Sequence, residues 1–155
     1  MKIKYVLAFF FLALSASIFI ACEKDDNEFE ENISYNFETE SHNMGQNCMN
    51  CHKIGGSGEG IFNVAGTVYD SLQTNPLANG KVELFDAPSG GNLVATLEVD
   101  GKGNFFTTNA IDFGTGLYPR VTSSTGKVKS MSIPLTTGAC NGCHGVNQDR
   151  IWVLN

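Results

Sequence analysis

The sequence predicts a mainly β protein whose strands form a sandwich. Between residues 61 and 135, runs with strand character alternate with turn signals at a spacing of about ten residues, which is typical of sandwiches. After position 40, no run of about ten or more residues has helical periodicity. Glycine is frequent, at 17 of 155 residues, but has no triplet repeat, which excludes collagen. Apolar residues make up 42% of the chain, enough to build a core.

Six strands are expected, each separated from the next by a turn signal. Alternation of apolar and polar residues, as in Val82-x-Leu84, predicts one buried face and one solvated face. Pairs such as Asn79-Gly80 mark the turns. The expected strands cover residues 63–69, 81–86, 93–99, 104–108, 118–123 and 127–133.

Residues 1–21 are predicted to be the signal peptide of a bacterial lipoprotein. Lys2 and Lys4 form a basic start, and residues 5–21 form an uncharged, mostly apolar run. A small residue and then Cys22 end the run and resemble a lipobox, so Cys22 is the expected site of lipidation and of membrane anchorage. An ordinary signal peptide or a single membrane anchor would also explain the run.

Residues 22–40 are expected to form a flexible acidic tether, because positions 23–40 hold eight acidic residues and one Lys. Its Lys-Asp-Asp at residues 24–26 resembles the surface-export signal of some gram-negative lipoproteins. This predicts an outer membrane lipoprotein exposed at the cell surface, with a generic acidic linker as the alternative. The whole chain has a net charge of −6, and residues 41–155 are nearly neutral, which argues against nucleic-acid binding.

The other four cysteines carry the candidate chemistry. They form two Cys-x-x-Cys pairs, each followed at once by His, at residues 48–52 (the first motif) and 140–144 (the second motif). This is the attachment motif of c-type haem, in which two thiols add to the vinyl groups of one haem and the His binds its iron. The sequence therefore predicts two covalently bound haem c groups. The attachment residues are Cys48, Cys51, Cys140 and Cys143, and the proximal iron ligands are His52 and His144.

Three other uses of these cysteines remain open. Two disulfides would suit an exported protein, but they leave the His after each pair unexplained. Zinc is bound by Cys₂His₂ or Cys₄ sets, but the 92-residue gap between His52 and His144 is unlike a compact zinc module. Thioredoxin-like chemistry uses one Cys-x-x-Cys on a βαβ frame, which this pattern lacks.

Two six-coordinate haems need four axial ligands, whereas the chain has three histidines. His42 is the histidine outside the motifs, and we expect it to bind one of the two irons. Met131 and Met44 are the methionine candidates, because a thioether is a common iron ligand in cytochromes c. Met49 lies on the proximal side, and any of these methionines could instead fill the core. A partner subunit could supply the missing ligand, or one iron could stay five-coordinate.

Turn glycines and alternating residues recur in a recognisable order along residues 61–135. They are Val64-x-Gly66-x-Val68-x-Asp70, Pro76 with Gly80-x-Val82-x-Leu84, Asp100-x-x-Gly103-x-Phe105 and Gly116-x-Tyr118. The pattern resembles the carboxypeptidase regulatory-like, or prealbumin-like, β-sandwich. That resemblance implies a seven-strand Greek-key fold that serves as a scaffold or binding module rather than as an enzyme. With a haem motif at each end, the chain is also similar to small multihaem surface cytochromes that combine such a sandwich with haem segments.

The order of the motifs predicts where the haems lie. Six alternating strands return the chain to the end where it began, so both haems are expected largely at one pole of the sandwich. Residues 150–154 are expected to form a seventh strand that clamps the second haem segment, with Trp152 in the core rather than against a haem. The expected segments are the signal peptide 1–21, the tether 22–40, the first haem segment with its Gly-rich link 41–60, the sandwich 61–135, and the second haem segment with the C-terminal strand 136–155.

The expected function is electron transfer outside the cytoplasm. Such a cytochrome would pass single electrons to other cytochromes, to an extracellular acceptor, or along copies of itself in a chain, without being an enzyme. A haem enzyme such as a dihaem peroxidase, or a gas sensor, is an alternative that needs an open iron site. A surface adhesion or carbohydrate-binding module is another, and it needs exposed aromatics. Phe85, Phe106 and Phe113 are the three rings expected to be exposed, too few to predict a platform for a sugar.

Overall fold

The structure is a computed structural model that describes residues 31–155. The predicted signal peptide, Cys22 and the first part of the tether lie outside the described residues. Within residues 31–155, none of the helices has the length and apolar character needed to cross a membrane.

Two sheets pack into a sandwich, which confirms the predicted fold class. The first sheet has the order β4-β1-β7, and β8 also pairs with β1; the second has the order β3-β2-β5-β6. The strands are β1 (Val64–Tyr69), β2 (Lys81–Phe85), β3 (Leu93–Glu98), β4 (Asn104–Thr107), β5 (Tyr118–Thr122), β6 (Val128–Ser130), β7 (Gly138–Ala139) and β8 (Ile151–Trp152). All six expected strands and the expected C-terminal strand occur, and β7 is an addition.

Alternate residues of the facing strands form the core between the sheets. The buried cluster consists of Val64, Val68, Val82, Leu84, Leu97, Val99, Phe105, Leu117, Val121 and Val153. β1 departs from the alternating pattern because all six of its residues are buried. Its outer face is covered by the segment that contains the first motif, where the Gly45 N–H donates to Thr67 Oγ1 at 2.9 Å. β1 therefore has the core on one side and the first motif on the other.

β7 and β8 act as two halves of one interrupted strand beside β1. Both run parallel to β1, β7 opposite Val64 and Ala65 and β8 opposite Val68 and Tyr69. The chain between them, residues 140–150, leaves the sheet and carries the second motif. Because β7 is parallel to β1, the chain enters both strands at the same end of the sandwich. The second motif, which lies between β7 and β8 in the chain, is therefore beside the middle of β1.

Residues 31–40, for which the sequence predicts an unfolded tether, instead pack on the sandwich, and residues 32–34 lie along β4. Ile33 forms a bridge with Thr107, and the Ser34 N–H donates to the Phe106 carbonyl at 3.1 Å. The Ser34 side chain is buried, and its hydroxyl donates to the Glu98 carbonyl at 2.6 Å. These residues satisfy the backbone groups along an edge strand, which outweighs the repulsion between their acidic neighbours.

Candidate functional site

Each motif folds into the same 3₁₀ turn. The N–H of the second cysteine donates to the carbonyl of the first, at 3.1 Å for Cys51 and 3.2 Å for Cys143. The His N–H donates to that same carbonyl at 3.0 Å in both motifs. The turn therefore holds two thiols and one imidazole within a single loop. In the first motif it is capped by Asn47, whose side chain accepts the Met49 N–H.

Both motif histidines have one ring nitrogen committed to a backbone carbonyl. His52 Nδ1 lies 2.7 Å from the Glu59 oxygen, and His144 Nδ1 lies 2.5 Å from the Asp149 oxygen. A carbonyl only accepts, so Nδ1 carries the proton and Nε2 keeps a free lone pair. This is the arrangement found in metal-binding histidines, where a second hydrogen bond sets the tautomer and orients the ring.

The four thiols of the two motifs are unpaired, with the first cysteine of each half-buried and the second exposed. Burial raises the pKa of Cys48 above its usual value and raises the pKa of Cys140 to about 12. The thiols of Cys48 and Cys143 raise the pKa of Cys140 further. The first cysteine of each motif is therefore held in its thiol form more strongly than an exposed cysteine.

A buried polar network connects the two motifs through β1 and β4. Thr67, Asn104 and Asn141 are each at most 3% exposed. The Thr67 hydroxyl donates to Asn104 Oδ1 at 2.7 Å and accepts from Asn141 Nδ2 at 3.0 Å. Asn141 belongs to the second motif, and its Nδ2 also donates to the carbonyl of Gln46, two residues before the first motif, at 2.9 Å. The two motifs are therefore neighbours.

Asn141 also supplies a hydrogen-bond acceptor to β1 where the strand beside it is interrupted. Opposite Thr67 neither β7 nor β8 is present, and the Thr67 N–H donates instead to Asn141 Oδ1 at 3.2 Å. Close packing accompanies this bond, because a Cβ placed on Gly66 would lie 3.0 Å from the Cys140 Cβ and 2.6 Å from the Phe105 ring. The motif thus lies beside the middle of β1, rather than beyond the end of a strand.

A groove of about 730 Å³ opens beside the second motif. Its size falls within the range of about 300–1,000 Å³ that is typical of ligand pockets. Cys140, Cys143 and His144 form part of its lining. The apolar lining includes Val82, Leu84, Phe105, Met131, Ile133 and Trp152. Because several of these are core residues, the groove reaches into the sandwich interior.

Aromatic rings surround the first motif. The His52 ring stacks on Phe62, with centres 4.0 Å apart, and Phe62 stacks on Phe106 at 4.8 Å. The ring of His42 lies 6.0 Å from that of His52, at an angle of 35°. The first motif therefore brings two of the three histidines together on the outer face of the first sheet.

The predicted methionine ligands are placed differently. Met131 lines the groove together with His144. Met44 lies in the loop before the first motif and is 44% exposed. Met49 is half-buried within the first turn. The structure thus brings Met131 to the second motif and His42 to the first.

Two predictions about aromatic residues are wrong. Trp152, expected in the core, is half-buried in the groove wall, where the Lys129 ammonium lies 2.9 Å from its ring centre. The three expected exposed rings are half-buried: Phe85 lies under Arg120, Phe106 stacks on Phe62, and Phe113 packs against the core. They therefore form no open platform for a sugar. The local pattern did not indicate these tertiary contacts.

Across residues 31–155, no group of three or more His, Cys, Asp and Glu side chains is arranged to hold a metal ion. Comparison of the chain with family models, with curated proteins and with solved structures finds no match to any of them.

Proposed function

We propose that this chain is a dihaem c-type cytochrome that transfers single electrons outside the cytoplasm. One observation carries the proposal: both Cys-x-x-Cys-His motifs adopt the same turn, with two thiols and an imidazole whose Nδ1 is bound to a carbonyl. Haem supplies reversible one-electron chemistry at iron. Cys48 and Cys51 hold the first haem, and Cys140 and Cys143 hold the second.

The surroundings of the second motif support this assignment. A planar, largely apolar cofactor needs an apolar surface, and the groove beside Cys140 and Cys143 provides one. The same lining carries two cations, Lys129 and Arg150, against the single carboxylate of Asp149. The cations favour the two carboxylates of a haem. The groove also limits water around the cofactor, which is one way in which proteins tune a reduction potential.

The adjacency of the motifs supports transfer between the two haems. The Asn141 bond to the Gln46 carbonyl, at 2.9 Å, ties the two attachment loops together. The network of Thr67 and Asn104 beneath them is buried and fully hydrogen-bonded. Fixed, neighbouring attachment loops hold two cofactors at a constant separation, which an electron relay requires.

The location and partners follow from the N-terminal sequence. The predicted signal peptide and lipidated Cys22 would anchor the protein in the outer membrane, with the sandwich at the cell surface. The partners would be other cytochromes, an extracellular electron acceptor, or further copies of this chain. Covalent attachment suits this location, because a dissociable cofactor would be lost to the medium.

The decisive test is a mass measurement on denatured protein, made in a host that attaches c-type haem, with residues 1–22 replaced by the host's export signal. We expect a gain equal to two haems and a sharp α band after reduction. The double variant Cys48→Ala/Cys51→Ala should gain one haem, and so should Cys140→Ala/Cys143→Ala. A colourless protein whose mass is short by four hydrogens would instead establish two disulfides and end the proposal.

A further inference from the structure

We propose that His42 is the second axial ligand of the haem on the first motif, opposite His52; this inference rests on the proposed function. The chain has three histidines, so the pairing leaves His144 as the only histidine available to the second haem. The two haems are therefore ligated differently.

The separation of the two rings matches an iron atom held between them. The ring centres of His42 and His52 are 6.0 Å apart. A metal–nitrogen bond of about 2 Å on each side, with about 1 Å from each nitrogen to its ring centre, requires about 6 Å. Each ring can rotate about its bond to the iron, so the angle of 35° between the ring planes is compatible with ligation.

The backbone of His42 is held in place on the sandwich. Its carbonyl accepts from Asn104 Nδ2 at 3.3 Å, and the same Nδ2 donates to the Ser41 hydroxyl at 2.9 Å. Lys102 Nζ donates to the Ser41 carbonyl at 2.7 Å. Asn104 is itself 2% exposed and belongs to the network that supports both motifs. A histidine on a flexible segment would lose much conformational entropy on binding iron, and this anchoring lowers that loss.

Both rings have a nitrogen available for iron. Nδ1 of His52 is bound to the Glu59 carbonyl, which leaves Nε2 free. No hydrogen bond to the His42 ring is present among residues 31–155, and the residue is exposed. Neither histidine would therefore lose a protein hydrogen bond when its free nitrogen binds the metal.

The pairing would give the first haem a lower potential than a haem with one imidazole and one thioether ligand. His144 and Met131 line the same groove and could supply such a pair to the second haem. With that pair on the second iron, electrons would move from the first haem to the second.

The test compares His42→Ala with Gln46→Ala in the mature, haem-loaded protein. Gln46 is a matched control because it is exposed in the same loop, and alanine keeps the backbone carbonyl that Asn141 binds. We expect His42→Ala to turn one six-coordinate low-spin haem into one that binds CO after reduction, with added imidazole restoring the original spectrum. Gln46→Ala should leave the spectrum unchanged. A His42→Ala spectrum identical to that of the unaltered protein would overturn the assignment.

The two single-haem variants locate the ligand. With only the first haem present, in Cys140→Ala/Cys143→Ala, the near-infrared band should be that of bis-histidine ligation. With only the second haem present, in Cys48→Ala/Cys51→Ala, it should not. The variant with only the first haem decides the point, and the absence of a bis-histidine band in it would refute the pairing. A bis-histidine band from the second haem would refute it as well. Mass gives haem content separately: two haems with unchanged ligation in His42→Ala refute this inference alone, whereas absence of haem refutes the proposed function.

Discussion

The two motifs share a local fold but differ in their surroundings. The first motif lies on the outer face of the first sheet, with His42 and stacked aromatic rings beside it. The second interrupts an edge strand and faces a groove of about 730 Å³ that reaches core residues. The comparison teaches that five residues are enough to set a turn that presents two thiols and an imidazole. What lies beside that turn, a second histidine in one case and an apolar groove in the other, comes from the rest of the fold.

The largest expected contrast between the two sites is in stability. Loss of the second haem, in Cys140→Ala/Cys143→Ala, should lower the free energy of unfolding by more than about 2 kcal/mol, because the cofactor fills a groove that otherwise opens core residues to water. Loss of the first haem, in Cys48→Ala/Cys51→Ala, should cost clearly less. Thermal unfolding of the two single-haem proteins measures the difference, and equal unfolding midpoints would contradict this prediction.

The polar network between the motifs predicts the next effect. Asn141→Ala removes the partner of the buried Thr67 N–H and two donated bonds, and should destabilise the protein by about 2–4 kcal/mol. Asn50→Ala, an exposed position in the first motif, is the matched control and should cost under about 0.5 kcal/mol. Chemical denaturation measures both, and an equally small loss for Asn141→Ala would show that the network does not join the motifs.

The ligand contrast predicts a shift in potential. Met131 is a predicted ligand candidate that lines the groove with His144. If it binds the second iron, Met131→Leu keeps a similar volume but removes the thioether, so the potential of the second haem should fall by about 100 mV, a fraction of the ~0.8 V that axial ligands span. Redox titration followed by absorption measures the shift. The potential of the first haem should stay constant. A shift in that potential would show that Met131 acts on the first haem rather than on the second.

The smallest expected effect lies away from both motifs, on β2. Burial by itself raises the pKa of Glu83, but the hydrogen bonds and charges of Lys81 (2.9 Å) and Arg120 (3.1 Å) outweigh it and hold the pKa below its usual value. A lowered folded-state pKa means that this stabilisation is present at neutral pH and is lost as the pH falls below the ordinary Glu value of about 4.3. Glu83→Gln should remove about 1 kcal/mol of it at pH 7 and flatten the acid limb of the stability curve, without altering either haem spectrum. Denaturation between pH 3 and 7 tests this, and an unchanged acid limb would contradict it.

Much of the sandwich could be predicted from local pattern, because strands and turns depend on short-range rules. The predicted 104–108 and 118–123 correspond to β4 and β5 within a residue or two. The pattern missed β7, since Gly138 and Ala139 have no strand preference and are extended only because β1 offers free backbone groups. The acidic composition also predicts a tether that includes residues 31–40, although Ser34 is buried against β3 and β4.

The candidate site divides in the same way. The two Cys-x-x-Cys-His motifs, and the prediction that they attach haem, follow from spacing alone. The role of Asn141 could not be predicted, because nothing in Cys140-Asn141-Gly142-Cys143 shows that its amide meets a backbone group from 74 residues earlier in the chain. Trp152 is predicted to lie in the core, whereas in the structure it forms part of the groove wall.

By itself, the sequence determined the strand pattern, the two Cys-x-x-Cys-His motifs and the count of three histidines, because each depends on residue type and short spacing. Only the tertiary structure decided which residues meet across long distances in the chain. It brought His42 to within 6.0 Å of His52, set Asn141 against Thr67, and opened the groove beside His144. These depend on how β1 pairs with β4, β7 and β8, and strand pairing is settled by the packing of the whole core rather than by any local run of residues.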